Sequence, residues 1–309
     1  MADTAAQWRP EQRVEIVAGT PPGGGLDRTA RALARSLEAQ RLLDVPVEVV
    51  NVPGDGARKA WSYVERRAGD PHVLAISSPN LTTDRLVGLA TFDHSAFTPL
   101  AILYTEYIAF VVRSDASIHD ARGFLDCVAT RGSSITVALS TALGNPNHIA
   151  LAKVIRDAGG DVRAPGVRVF DSALDAVADV LAGNAALAAV TAASAVEAIA
   201  GGAARAIAVS APERLGGVYE STPTWREVGA DCAVSAWRGV TAPRAVNGAA
   251  IAFWQKALRA ATTGSGWNTD LARHLWTPLY IDGPALGRHL AAEDAEMAAI
   301  VAALGLAWR

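Results

Sequence analysis

The chain has 309 residues, half of them apolar and 19% charged, with a formal net charge of −3. That length is enough for two lobes with separate cores, and the near-neutral balance gives no basis for nucleic acid or an acidic membrane surface as partner. No run reaches the roughly 18–20 apolar residues of a membrane span, because the Ala-rich stretch 182–206 is broken by Asn184, Glu197 and Arg205. The first residues lack a charged segment followed by an apolar core, so no signal peptide is expected. That leaves a cytoplasmic protein, or a mature exported one whose leader lies outside this sequence. The two cysteines, Cys127 and Cys232, are too few for a disulfide framework, lack metal spacing, and read as free thiols.

Taken in order, residues 1–11 are polar and expected on the surface. A buried strand over Val14–Ala18 runs into the turn Thr20-Pro21-Pro22-Gly23-Gly24-Gly25-Leu26-Asp27, and a helix is predicted over 28–40, with Ala30, Leu33, Ala34 and Leu37 on its core face. A second strand over 45–50 carries Pro46, which restricts it to an edge or to its own first residues. It leads into the turn Asn51-Val52-Pro53-Gly54-Asp55-Gly56 and a helix over 57–67. A third strand over 72–77 ends in Ser78-Pro79-Asn80. This alternation of apolar strand, polar turn and amphipathic helix predicts a mostly parallel α/β sheet, whose ligands sit at the carboxyl ends of the strands.

Residues 97–112 are nearly all apolar or β-forming and read as a long strand or a strand pair leaving the first lobe. A second α/β alternation follows: helix 117–130, strand 134–139, turn 140–147, helix 148–158, strand Gly166–Phe170, helix 173–182, strand 186–190, helix 194–200 and strand 205–210. Residues 233–240 read as a crossing strand, and 249–262, 268–275 and 284–304 as helices. No solenoid repeat is present.

The glycine turn between a strand and a helix has the ingredients of an anion cradle: exposed N–H groups, close backbone approach and the positive end of a helix dipole. It is not a nucleotide motif, since the third glycine of G-x-G-x-x-G is missing and Gly54-Asp55-Gly56-Ala57-Arg58-Lys59 fails the phosphate-loop spacing. A smaller anion such as a carboxylate fits better. Asp27 caps the helix on its bland reading and faces a ligand amine or hydroxyl on its functional one. The turn from Ser140 to His148 is the second candidate. There Ser140, Thr141, Asn145 and Asn147 offer neutral donors ahead of a helix, with Asn147 as its expected N-cap. His148 reads as packing or as a ligand contact, Thr191 ends a neighbouring strand, and Arg238 is a surface residue or a bidentate carboxylate partner. Neither a nucleophile–base set, a metal site nor a cofactor motif is present.

Together these segments resemble the tripartite tricarboxylate transporter receptor family, also called the Bug family of extracytoplasmic solute-binding proteins. The carrying residues are Ile16-Val17 with the turn from Pro21 to Asp27; Val49-Val50-Asn51-Val52-Pro53-Gly54; Ser140 to His148; Asp179 to Gly183; Arg205 to Ser210; Pro223-Thr224; and Ser235-Ala236-Trp237-Arg238-Gly239 with Ala242-Pro243. The resemblance runs from about Arg13 to Leu306. It implies a two-lobed periplasmic binding protein fold of type II-like α/β class, each lobe a mostly parallel sheet flanked by helices, with a ligand cleft between them. Residues 11–103 with 239–309 would form one lobe and 104–238 the other, with hinges near Leu103 and over 234–240. It further implies a periplasmic, monomeric, non-enzymatic receptor that needs no cofactor or metal. Such a receptor would take a small dicarboxylate-like anion and pass it to membrane transporter subunits or, alternatively, to a sensor protein. An enzyme acting on a small carboxylate is the remote alternative. The implied ligand set is Thr20, Pro22, Gly23, Gly24, Asp27, Ser78, Ser140, Thr141, Asn145, Asn147, His148, Phe170, Asp171, Thr191 and Arg238. The chain departs from the family pattern at Gly19-Thr20, at Ala186, at Val169-Phe170-Asp171-Ser172 and at Arg238, which stands where an aromatic residue is usual; an inward-facing arginine favours additional negative charge on the ligand.

Overall fold

In the computed structural model the described residues are 8–131 and 134–307, so the expectation for the first seven falls outside them. They divide into two compact α/β units. One comprises 8–81, 92–104 and 237–293, and the other 82–91, 105–236 and 294–307.

In the first unit, β1 (Val14–Ala18) is central and pairs in parallel with β2 (Val47–Asn51) and β3 (Val73–Ser77). Pro46 lies just before β2, an edge strand, so its missing N–H costs the ladder nothing. The connections are helical: α1 (Gly25–Ala39) follows β1 and α2 (Arg58–Glu65) follows β2. β4 (Thr98–Arg113) begins in this unit and continues into the other. Residues 239–241 of β9 (Ser235–Ala242) run antiparallel to β3. The core is aromatic-rich. Trp61 packs against Phe97, and Tyr104 stacks on Trp276 with ring centroids 4.1 Å apart. Trp8 meets Phe253 edge-on, which ties the start of the described chain to α8 (Gly248–Ala261).

In the second unit, β5 (Thr136–Ser140) lies between β6 (Gly166–Phe170) and β7 (Leu187–Thr191), parallel to both. β7 and β8 (Ala204–Val209) pair antiparallel with β4. Helices α4 (Ala121–Arg131), α5 (Pro146–Asp157), α6 (Ala173–Leu181) and α7 (Val196–Ala200) connect these strands. Phe110, Phe124 and Trp225 form the aromatic centre of this core, which also takes in Ile149, Val154 and the free thiol Cys232.

Three departures from the expected elements have local causes. α1 starts at Gly25, inside the glycine run, because Thr20 Oγ accepts the Asp27 N–H and draws the turn into the helix. The segment read as the end of a turn at Asn80 is the start of α3 (Asn80–Leu86), which begins directly after Pro79. Residues 277–282 form β10 (Thr277–Asp282), paired with β4, although Pro278 weakens its strand signal. Two further helices, α9 (Ser265–His274) and α10 (Gly283–Ala303), complete the chain. Among the described residues no helix is long and apolar enough to cross a membrane.

Trp225 is fully buried, with its ring 4.8 Å from that of Phe110 in a T-shaped contact. Trp225→Ala is expected to cost about 3–5 kcal/mol through lost burial and a residual cavity. Urea denaturation followed by circular dichroism measures this, and a loss under about 1 kcal/mol is inconsistent with the packing.

Candidate functional site

In each unit a polar turn carries a strand of the parallel set into a helix: the turn after β1 in the first, and the turn after β5 in the second. In the first unit the turn from Thr20 to Asp27 joins β1 to α1. Its backbone donors are mostly committed. Gly23 N–H donates to Asp27 Oδ2 at 2.8 Å, Gly24 N–H to Pro21 O at 2.9 Å, Asp27 N–H to Thr20 Oγ at 3.2 Å, and Arg28 N–H to Gly24 O at 2.9 Å. Among these hydrogen bonds none engages the Gly25 or Leu26 N–H, which sit at the positive end of α1. Two adjacent amides of this kind match the two oxygens of a carboxylate.

Asp27 is 1% exposed. Burial alone would raise its pKa, but hydrogen bonds from Arg31, Asn51 and the Gly23 backbone outweigh that, and the carboxyl sits below its usual value. Arg31 Nε reaches both carboxylate oxygens at 2.9 and 3.0 Å. Asn51 Nδ2, from the end of β2, donates to Asp27 Oδ1 at 2.9 Å and to Thr20 O at 2.9 Å. Gly24 is required for close approach, since a Cβ there would stand 2.6 Å from both Thr20 Cβ and Oγ. Pro22 is exposed. Ser78 follows the carboxyl end of β3 and is buried. Arg238, on β9, is 8% exposed; its Nη1 donates to Trp237 O at 2.9 Å, and its Nη2 lies 3.8 Å from where a Gly25 Cβ would be. The first unit therefore brings Thr20, Pro22, Gly23, Gly24, Asp27 and Arg238 together.

In the second unit, Ser140, Phe170 and Thr191 end the parallel strands β5, β6 and β7, with Ser140 opposite Phe170 in register. The turn after β5 is held from within. Asn145 Nδ2 donates to Ser140 O at 2.6 Å, Asn147 Nδ2 donates to the same carbonyl, and Asn147 Nδ2 lies 3.3 Å from Ser140 Oγ. The N-cap of α5 is Asn145, whose Oδ1 accepts the His148 N–H at 3.1 Å, and not Asn147 as expected. The reason is Pro146, which takes the first helical position and has no N–H to be capped. Thr141 is half-buried beside this turn. Thr191 Oγ pairs with Ser194 Oγ at 3.0 Å. Asp171 is exposed, and the Phe170 ring lies 5.7 Å from the Arg168 guanidinium.

His148 is buried, and its Nδ1 accepts the Gly144 N–H at 2.9 Å. The proton of the neutral ring is thereby placed on Nε2. Burial lowers the ring's pKa from 6.5 to about 4. The participants that sequence reasoning missed are Arg31 and Asn51. Arg31 carried a signal, the i,i+4 spacing from Asp27; Asn51 carried only its place at a strand end.

Comparison with known proteins agrees with this architecture. A family model described as tripartite tricarboxylate transporter family receptor matches residues 29–306. Protein BugT of Bordetella pertussis is 25% identical over 253 residues, 80% of this chain and 75% of BugT. The structure of MatC from Rhodopseudomonas palustris with bound malate is 23% identical, covers 94% of this chain and 99% of MatC, and gives a TM-score of 0.83. The periplasmic binding protein BugD is 19% identical, covers 97% of this chain and 100% of its own, and gives a TM-score of 0.87. The expected α/β fold of the periplasmic binding type is thus that of these structures.

The His148 geometry fixes a sign. A histidine whose folded pKa lies below its unfolded value is neutral in the folded chain while the unfolded chain takes up a proton. Its contribution to stability is fully present above pH 6.5 and is lost as pH falls towards 4, by at most about 1.4 kcal/mol per pH unit. The His148 ring signals are expected to stay those of the neutral Nε2–H form from pH 8 to 5 in a ¹⁵N-detected NMR titration. A midpoint near 6.5 contradicts the burial.

Proposed function

The chain belongs to the tripartite tricarboxylate transporter receptor family, and from that premise we propose that it captures a small dicarboxylate-like anion by hinge closure in the periplasm. As a monomer it then delivers the anion to membrane transporter subunits, without chemistry on it. The observation that carries this reading is the turn after β1. Two adjacent amides at the start of α1 take part in none of the turn's hydrogen bonds, while those of Gly23, Gly24, Asp27 and Arg28 are spent within it, and a buried guanidinium, Arg238, stands beside them. Backbone dipoles and charge-assisted hydrogen bonds of this kind bind a carboxylate without a large net charge. The remaining proposed contacts are Thr20, Pro22, Gly23, Gly24 and Ser78 from the first unit, and Ser140, Thr141, Asn145, Asn147, His148, Phe170, Asp171 and Thr191 from the second. Asp27 serves the same turn. His148 fits as a neutral Nε2–H donor whose charge stays constant around neutral pH. Malate, bound by the R. palustris relative, is the natural first probe.

Titration calorimetry with malate, succinate, adipate, citrate and acetate tests the reading. Saturable one-to-one binding of a dicarboxylate, stronger than that of acetate, with the compound recovered unchanged, is the expected outcome. No binding across the panel, or turnover of a bound compound, overturns it. Gly24→Ala, whose added methyl collides with Thr20, is expected to weaken the preferred ligand at least about 10-fold, about 1.4 kcal/mol, with the circular dichroism spectrum retained.

A further inference from the structure

Asp27 has the residue type and position of a ligand contact, but its surroundings point elsewhere. Both of its oxygens are occupied. Oδ2 accepts the Gly23 N–H and an Arg31 Nε contact; Oδ1 accepts Asn51 Nδ2 and the second Arg31 Nε contact. The side chain is almost fully buried. Asn51 extends the network, because the same Nδ2 also donates to Thr20 O and its Oδ1 lies 3.4 Å from Arg31 Nη2. Thr20, in turn, accepts the Asp27 N–H. The ring of contacts closes on the backbone at two points of the glycine turn, at Thr20 and at Gly23. Gly23 has φ +82°, a conformation open to glycine at little cost but not self-enforcing.

We propose that Asp27 and Asn51 are positioning residues: together they hold the turn from Thr20 to Leu26 in the one geometry that directs the Gly25 and Leu26 amides at a carboxylate, and neither touches the ligand. The function assigned to the turn rests on the receptor reading above; the holding of the turn does not.

The chemistry of Asp27→Asn makes this testable. Every group around the carboxylate is a donor: a backbone N–H, a guanidinium N–H and an amide NH₂. A carboxamide offers one acceptor and one donor, so in either orientation its NH₂ faces another donor. The turn must then shift, while the side chain's volume and the core beneath are unchanged. Asn51→Ala removes the second tether from a different strand and supplies an independent variant should Asp27→Asn fold poorly.

The experiment compares wild type, Asp27→Asn, Asn51→Ala and the double variant, at a temperature where all are folded by circular dichroism. Hydrogen exchange of the Gly23 amide in the ligand-free protein is read against the core amide of Ile16. Malate affinity is read by calorimetry. In Asp27→Asn, Gly23 exchange is expected to accelerate at least about 10-fold relative to Ile16, and the malate Kd to rise at least about 10-fold. Asn51→Ala moves both in the same direction by less. Because both residues act through one turn, the double variant binds about as weakly as Asp27→Asn alone. Unchanged relative exchange at Gly23 overturns the proposal, as does an unchanged Kd in variants that bind malate as folded proteins. Multiplying Kd effects in the double variant also overturn it, since they mark two separate ligand contacts. If the wild type binds none of the carboxylates, the receptor reading fails, and the Gly23 exchange still decides whether Asp27 holds the turn.

Discussion

Parallel strand pairing is the constraint from which the polar turns follow. A parallel neighbour cannot be reached by a tight hairpin, so the chain must leave each strand at its carboxyl end and return by a crossover, here a helix. In the first unit β1, β2 and β3 are parallel, and in the second β6, β5 and β7 are. All the carboxyl ends within a set therefore lie on one edge of it, and each is followed by a segment that ends at a helix N-terminus. The polar turns after β1 and β5 are consequences of this pairing. The anion-binding role proposed for them rests on the helix starts that the pairing obliges.

That dependence explains what was legible in the sequence. β1 and β6 are strands over the residues that periodicity and composition assign, because five-residue apolar or β-forming runs bounded by turns leave few alternatives. The glycine run was legible as a tight turn because Gly24 has no room for a Cβ and glycine is the residue that such contacts demand. Contacts that depend on three-dimensional closure were not legible. Asn51 is separated from Thr20 by 31 residues, and only the parallel register of β2 on β1 brings its amide onto the Thr20 carbonyl. Asn145 and Asn147 are equally good caps by residue type, and the choice is made by Pro146 and by the fit of both amides to the Ser140 carbonyl. Arg238 was undecidable for a similar reason. An arginine next to a glycine in a strand says nothing about burial, and the residue is nearly enclosed.

An aspartate in the first turn of a helix proposed to bind an anion looks self-defeating, because a carboxylate there would compete with the ligand for the same positive potential. Three features remove the conflict. The Arg31 guanidinium reaches both oxygens, so the pair presents little net charge to a ligand. The donors that Asp27 takes from the turn are limited to the Gly23 N–H, while its own N–H is satisfied by Thr20, so the amides of Gly25 and Leu26 are not consumed. Its burial also places the charge behind the turn, where it organises the backbone without facing solvent. In the proposed role, the aspartate takes one amide, that of Gly23, and by doing so would fix the orientation of two others. Preorganised donors lose less freedom when an anion arrives, and that saving appears directly in affinity. A site built as proposed would select a carboxylate through geometry while the whole chain carries a net charge of −3, since short-range dipoles, and not the long-range field, would do the holding.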